Sequence, residues 1–348
     1  MMTRTSLLQF GKVTLASALL IAAAVKVEAQ SIHFSQYYNA PMLLNPANTA
    51  LMPEDDYRVG LNYRNQWATV PVPYSTFSAF ADFKTFSSSD GLTTNWLGIG
   101  GAVFNDVAGD GNLALTRFEG FAAYHLGVGT YSMLSLGLSG GYAQRSVNYD
   151  NLTFDSQWDG FKFNTSQASN EPKGIIKTTY TTIGAGINYA YFPNDNVYMK
   201  FGAGVANINQ PVESFYGGSN KLGIRPTADV DILFKANDTW ILNPSVYFAT
   251  QKGAYELVYG TMFQVYVGGR QETYPTQLIL GIYNRLNESI IGVIGFEWGK
   301  VRLTSSYDIT ISSLAPYNSA SGAFELSLIY QGVYGGDKGR RNYNCPRF

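Results

Sequence analysis

From Tyr57 onward, apolar and polar residues alternate in runs of about eight to fourteen positions, each broken at Gly, Pro, Asn or Asp. A period of two belongs to a strand with two unlike faces; an amphipathic helix would repeat about every 3.6 residues. Tyr57, Val59, Leu61 and Tyr63 form one face against Arg58, Gly60, Asn62 and Arg64. Phe77, Ala79, Ala81 and Phe83 do the same against Ser78 and Asp82. Near the end, Val301, Leu303, Tyr307, Ile309 and Ile311 oppose Arg302, Thr304, Ser306, Asp308 and Thr310, and Phe324, Leu326, Leu328 and Tyr330 oppose Glu325 and Ser327. The pattern predicts about fourteen strands, starting near 57, 75, 96, 113, 131, 178, 197, 226, 239, 254, 276, 289, 301 and 322.

The connections alternate in length. Long ones around 64–74, 105–112, 145–177, 209–225 and 312–321 are separated mostly by tight turns such as Gly127-Val128-Gly129-Thr130, Pro193-Asn194-Asp195-Asn196 and Gly299-Lys300. Bacterial outer-membrane barrels have an even strand count, short periplasmic turns and longer outside loops. The stretch 84–95 reads as a long connection where that scheme wants a short one. A soluble β-sandwich would also alternate, but it needs far fewer strands for one core. Aromatics recur at strand ends (Tyr57, Tyr63, Phe83, Trp96, Phe104, Tyr124, Tyr131, Tyr191, Trp240, Tyr330), as girdles at two membrane interfaces require. Arg117, Glu119, Asp229, Asp231 and Glu297 occupy the opposite parity and would gather in a polar lumen. The uncharged run Gly120 to Gln144, with Gly127, Gly129, Gly137, Gly140 and Gly141 among alternating leucines, reads as a hairpin, not a membrane helix. The expected fold is therefore all-β: a transmembrane antiparallel β-barrel over residues 57–330, in the outer membrane.

Three segments fall outside that barrel. Residues 1–29 have a basic start (Arg4, Lys12), an apolar run from Val13 to Val25 and small residues before Gln30, the anatomy of a signal peptide. Residues 30–56 lack periodicity yet carry Phe34, Tyr37, Tyr38, Met42, Leu43 and Leu44, followed by Asn45 and Pro46; so aromatic a segment is expected to fold as a plug in the barrel or dock on its periplasmic rim. Residues 331–348 form a basic, Gly-rich tail, and an even strand count places both ends of the chain on the periplasmic side.

Composition agrees. Of 348 residues, 15% are aromatic and only 14% charged, against about 25% charged in an average soluble chain. With 36 glycines and few helix formers, a helical bundle and a disordered chain are excluded. The net charge of −1 gives no electrostatic footprint for nucleic acid. The single cysteine, Cys345, excludes an internal disulfide and a cysteine-cluster metal site. Gly137-Leu138-Ser139-Gly140-Gly141 matches G-x-S-x-G, but no helix follows and both histidines, His33 and His125, precede Ser139, against the chain order of that triad. Two distant histidines make no three-histidine zinc site, and the aspartates within 105–112 lack calcium-loop spacing. The expectation is a non-enzymatic protein without cofactors.

The mature start His33-Phe34-Ser35-Gln36-Tyr37-Tyr38, with Leu44-Asn45-Pro46-Ala47, resembles the opening of the PorP/SprF proteins, outer-membrane components of the type IX secretion system of Bacteroidetes. Tyr63-Arg64-Asn65-Gln66-Trp67, Tyr124-His125-Leu126, Leu152-Thr153-Phe154, Asn209-Gln210-Pro211 with Glu213, and Ser306-Tyr307-Asp308 are similar to that family's landmarks in the same order. Ser31-Ile32 and Thr49-Ala50 depart from its usual pattern. The resemblance implies a barrel that helps a secreted cargo reach or stay on the surface. That cargo would be a large adhesin, as in gliding motility, or an enzyme with a C-terminal sorting domain. It also implies periplasmic partners of the secretion system, including a peptidoglycan-binding protein. The longest outside loop interleaves Tyr149, Phe154, Trp158, Phe161 and Phe163 with aspartates, the composition of an interface with anchoring aromatics. Cargo contact is accordingly expected at Arg64, Trp67 and Trp158 on the outer mouth and at lumen-facing Arg117 and Glu119. The alternative is a transporter similar to the FadL family, whose barrels have about fourteen strands and an N-terminal hatch with Asn-Pro-Ala; it would require an apolar pocket.

Overall fold

The computed structural model describes residues 34–52, 55–69, 73–89, 94–267 and 276–335. The signal-peptide expectation for 1–29 and most of the basic tail, 336–348, lie outside the described residues. Fourteen strands appear: β1 (Tyr57–Gln66), β2 (Tyr74–Ser89), β3 (Thr94–Ala108), β4 (Leu113–Gly127), β5 (Ser132–Asn148), β6 (Ile175–Asn194), β7 (Val197–Ala206), β8 (Arg225–Lys235), β9 (Trp240–Gln251), β10 (Ala254–Val267), β11 (Thr276–Arg285), β12 (Ser289–Trp298), β13 (Val301–Thr310) and β14 (Ser321–Gly332). Each starts within three residues of its expected position. They form one closed antiparallel barrel, β14 pairing with β1 from Tyr57↔Gly332 to Gln66↔Ala323. Closure satisfies every sheet edge, which is what allows strands to cross lipid. Among the described residues no helix is long and apolar enough to cross a membrane.

The two-residue period separates lipid from lumen. On β13, Val301, Leu303, Tyr307 and Ile309 are exposed outward while Thr304, Ser306, Asp308 and Thr310 are buried inward; on β14, Leu326, Leu328 and Tyr330 oppose buried Glu325 and Ser327. Two residues expected in the aromatic girdle face the other way. Trp96 and Phe104 are buried in the lumen, because their neighbours Leu97 and Val103 hold the outward parity of β3. The lumen is also less polar than expected: the inner wall of β9–β12 contributes Ala249, Val258, Met262, Ile279, Tyr283 and Ile291.

Two connections differ from expectation. The supposed long connection at 84–95 is mostly strand, since β2 runs on to Ser89 and β3 begins at Thr94, with a bulge between Thr85 and Ser88 where Phe86 takes φ +48°. The stretch 105–112 shrinks to a turn at 109–112, because Asn105 to Ala108 pair with Leu113 to Thr116. An even strand count leaves Tyr57 and Gly332 on one rim, here termed the turn rim. The opposite loop rim carries 67–73, 149–174, 207–224 and 311–320.

Residues 34–52 fold inside the barrel as a plug built from three short helical turns, Tyr37–Asn39, Pro41–Leu44 and Pro46–Asn48. Phe34 sits in the loop-rim half against Phe104, and the chain descends to Ala50 beside Trp96 in the turn-rim half. Phe34, the first described residue, thus lies within the lumen, and the amino terminus expected on the periplasmic side lies outside the described residues. The plug's apolar side chains find matching wall: Tyr37 and Leu44 join the β9–β12 cluster, and Met42 packs with Phe80, Ala102 and Phe121. Each such side chain removed from water contributes about 1.5–3 kcal/mol.

Candidate functional site

The upper end of the plug is held by a buried ionic latch. Glu325 on β14 accepts the backbone N–H of Ser35 at 2.5 Å through Oε1 and of Gln36 at 2.8 Å through Oε2. The Ser35 hydroxyl donates to Asp308 Oδ2 at 2.6 Å and accepts from Arg64 Nη1 at 2.6 Å and Arg285 Nη2 at 2.7 Å. Arg64 pairs with Glu325 and, at 3.3 Å, with Asp308. Arg285 pairs with Glu256 at 3.1 Å, Asp308 at 3.1 Å and Glu288 at 3.2 Å. Both guanidinium side chains are 2% exposed. Buried charges persist only when paired and hydrogen-bonded, and here plug backbone completes the pairing. Below the latch, Gln36 accepts from Thr304 Oγ1 at 2.6 Å and Asn39 Nδ2 at 2.8 Å, and the Tyr37 ring stacks on Tyr247 while its hydroxyl donates to Ser245 at 2.8 Å.

The lower plug is seated by Asn45-Pro46-Ala47. Asn45 Oδ1 accepts the N–H of Ala47 at 2.9 Å, capping the following turn, and Nδ2 donates to Asn188 Oδ1 at 2.8 Å and to the carbonyl of Ile187 at 3.2 Å. The wall makes room by having no side chain there: a Cβ on Gly186 would lie 1.8 Å from Asn45 Oδ1, and one on Gly137 would lie 2.3 Å from the backbone of Pro46 and Ala47. Further on, Asp82 accepts from Ala50 N at 2.7 Å and pairs with Arg58 at 2.6 Å; the Trp96 indole donates to the carbonyl of Ala50 at 2.9 Å. His125 is fully buried between Ser135 Oγ at 2.7 Å and the carbonyl of Thr49 at 2.8 Å, its ring stacked on Trp96.

Of the residues expected to meet a partner, Arg64 is turned into the lumen and committed to the latch, so the mouth does not present it. Arg117 and Glu119 face the lumen on β4, paired with one another through a hydrogen bond from Arg117 Nε at 3.0 Å, on the loop-rim side of the plug. Trp67 stands on the 67–73 loop with φ +57°, its N–H bonded to the carbonyl of Gly322 at 2.7 Å and its ring edge-on to Tyr74. Trp158 stands on the 149–174 loop, separated from Trp67 in barrel order by the β3–β4 hairpin. It bridges to Phe163 across a tight turn in which Asp159 Oδ1 accepts the N–H groups of Phe161 and Lys162, both at 2.9 Å. Those two bonds hold the Asp159 carboxyl below its ordinary range, so it stays ionised, and the turn set, wherever aspartates above about pH 3.9 are charged. Phe161 at the tip is 94% exposed. The loop is braced against its neighbour by the Tyr149–Tyr216 hydroxyl pair at 2.6 Å, and Arg145 near the end of β5 pairs with Glu213 of that neighbour at 3.1 Å. Replacing Asp159 by Ala should release this turn. Trypsin should then cut after Lys162 several-fold faster than in the wild type at neutral pH, with heat-modifiable gel mobility of the barrel unchanged.

A family profile, type IX secretion system membrane protein PorP/SprF, matches residues 26–330. The chain belongs to the PorP/SprF family. A comparison with curated proteins gives no match. Among solved structures, the Pseudomonas putida toluene transporter TodX is similar with a TM-score of 0.51 at 10% identity, over 89% of this chain and 96% of that one. A TodX deletion mutant described as a monoaromatic hydrocarbon channel gives 0.52 at 9%, over 90% and 98%. The Ralstonia pickettii toluene transporter TbuX gives 0.50 at 11%, over 84% and 93%. At such identities the likeness concerns the barrel fold.

In this PorP/SprF chain the motif residues converge on the plug. Gln36 and Asn45 lie in it; Arg64, His125, Ser306 and Asp308 touch it from three different strands. Glu325 and Arg285, which complete the latch, were not singled out by any motif. Their signal was parity: each is a charged residue on the inward face of a strand whose other face is apolar.

Proposed function

We propose that this protein is an outer-membrane barrel of the type IX secretion system that engages a secreted cargo at its outward loop rim, through the cargo's C-terminal domain. The observation that carries the reading is the latched plug in a PorP/SprF barrel: with Ser35, Gln36 and Asn45 tied to the wall, polypeptide contact falls to the loops. The Trp158–Phe163 turn suits that role, because a preset aromatic tip loses little conformational freedom on binding. Trp67 and the Arg117–Glu119 pair lie on the same side of the plug and complete the candidate surface. The turn rim then faces the periplasm, where components of the secretion motor and peptidoglycan-binding proteins would meet the barrel.

Affinity purification from mild-detergent outer membranes tests this. Recovery of a large surface protein, lost when Trp158 and Phe161 are both replaced by Ala in a normally assembled barrel, is the expected result; undiminished cargo on that double variant overturns the site. A second reading, passage of a hydrophobic small molecule, is favoured by a mostly apolar cavity of about 80 Å3 against the plug, between Phe34, Leu43, Leu44, Phe104 and Leu115 and bordered by Arg117 and Arg225. Co-purified lipid-like ligand with no protein partner would support it instead.

A further inference from the structure

At the loop rim β6 outruns one of its two neighbours. Its ladder with β5 continues up to Asn148↔Ile175, whereas its ladder with β7 begins only at Ala185↔Val205. The upper β5–β6 hairpin therefore stands above the closed wall with one flank of β6 unpaired. Next to the wall that flank is occupied by the 207–224 loop. The N–H of Ile183 donates to Asn209 Oδ1 at 3.1 Å and its carbonyl accepts from Ile208 N at 3.0 Å, while the carbonyl of Thr181 accepts from Asn209 Nδ2 at 2.8 Å. The alternation of an antiparallel ladder turns the N–H and carbonyl groups of Thr179, Lys177 and Ile175 the same way. Among the described residues no hydrogen bond reaches these groups on that flank, which leaves an open edge about 20 Å long.

The edge stands in water. Tyr142, paired with Thr181, is the last aromatic on the lipid-facing row of β5; beyond it the outward positions are Gln144, Ser146 and Asn148, with Thr179 and Lys177 beside them on β6. Exposed edges are ordinarily blunted by proline, a bulge or several charges. Residues 175–181 have no proline, pair with β5 without a bulge and are mostly β-branched, a composition suited to strand pairing. Their one charge is Lys177, exposed and without an ion-pair partner among the described residues. Ile175, 59% exposed, offers apolar surface at the same edge. Donors and acceptors repeating every second residue match the backbone of another extended chain. Lys177 favours an acidic residue opposite, and it disfavours a second copy of β6 paired about this position, which would set two lysines against each other. Gly174 joins the edge directly to the loop that carries the Trp158–Phe163 turn.

We propose that an extended segment of the secreted cargo, with an acidic residue opposite Lys177, adds as a strand to β6 over residues 175–179. The inference rests on the cargo reading above and gives it a backbone contact beside the aromatic tip. The test compares the barrel purified with its retained surface protein from mild-detergent outer membranes and the same barrel stripped of it. Hydrogen exchange at the amides of Lys177 and Thr179 should be slowed about tenfold or more in the complex. Thr179→Pro removes an N–H from the open edge and none from the ladder with β5, and Lys177→Glu reverses the charge. Each should lower the retained cargo about tenfold at unchanged heat-modifiable mobility, while Thr179→Val, which keeps the N–H, should retain it in full. Equal exchange with and without cargo, or full retention by both assembled Thr179→Pro and Lys177→Glu barrels, would overturn the strand addition. The cargo reading would survive that result if the Trp158 and Phe161 double variant still lost the cargo. A wild-type barrel that retains no surface protein would remove the cargo reading and the added strand together, and a complex whose added mass is a second barrel would replace the cargo strand by self-pairing.

Discussion

Replacing Arg285 by Met is expected to free the upper plug while leaving the barrel closed. Three carboxylates, of Glu256, Glu288 and Asp308, converge on this one guanidinium, which also donates to Ser35 at 2.7 Å. Removing one member of a buried ionic group costs about 3–5 kcal/mol, because the remaining charges stay desolvated without compensation. That corresponds to roughly a hundredfold to a few thousandfold in the ratio of latched to released plug. The strands are paired through fourteen backbone ladders and do not need the latch for closure. A cysteine introduced at Gln36, with Cys345 replaced by Ser, reports the outcome: maleimide labelling should rise steeply in Arg285→Met at unchanged heat-modifiable mobility. Arg285→Lys keeps the charge but not the fork that reaches several partners, and should fall between the two. Glu288→Gln should change little, since that carboxylate is 37% exposed and solvent already stabilises it. Wild-type labelling in Arg285→Met would show that the latch does not hold the plug.

How much of this was legible in the sequence depends on the range of each interaction. Strand starts were readable to within three residues because lipid and lumen impose opposite demands on alternate residues, and Leu326 beside Glu325 states the parity locally. Trp96 and Phe104 were misplaced because an aromatic at a strand end satisfies either a girdle or a plug contact, and only parity with Leu97 and Val103 decides. The serine-rich stretch after Phe86 has no apolar alternation, so strand pairing there came from the ladder with β3 and not from side-chain pattern. Arg64 was expected as a cargo contact at the outer mouth, and the structure sets it among buried carboxylates instead. Its carboxylates lie 244 and 261 residues further along the chain, and nothing local in Tyr63-Arg64-Asn65 points to them. Barrel closure, which sets β14 beside β1, is what brings Glu325 to Arg64. His125 was dismissed as chemistry and is a packing and hydrogen-bond contact of the plug.

The seat of Asn45 is the second place where one substitution should act strongly. Gly186 and Gly137 face inward at the height of Asn45-Pro46-Ala47, and the plug backbone rests against them in the space a side chain would fill. In Gly186→Val the first added carbon already falls 1.8 Å from Asn45 Oδ1, so the amide must leave its position. It would give up its bonds to Asn188 and Ile187 and the cap on Ala47 together. Overpacking costs about 1–3 kcal/mol, and each buried polar group left unmatched costs about as much again. The next neighbour, Pro46 Cδ at 3.2 Å, belongs to a ring that cannot rotate away as a flexible side chain would. The expected result is a barrel that assembles but exposes Ala47: a cysteine placed there, in a Cys345→Ser background, should become reactive to a maleimide added from the periplasmic side. Gly140 is the matched control. It lies on β5, but on the lipid-facing parity with nothing within 4 Å of an added Cβ, so Gly140→Val should leave labelling at the wild-type level. Equal reactivity in the Gly186 and Gly140 variants would mean that the plug is not seated through Asn45. Selective reactivity in the first would locate its lower anchor at this pair of inward glycines.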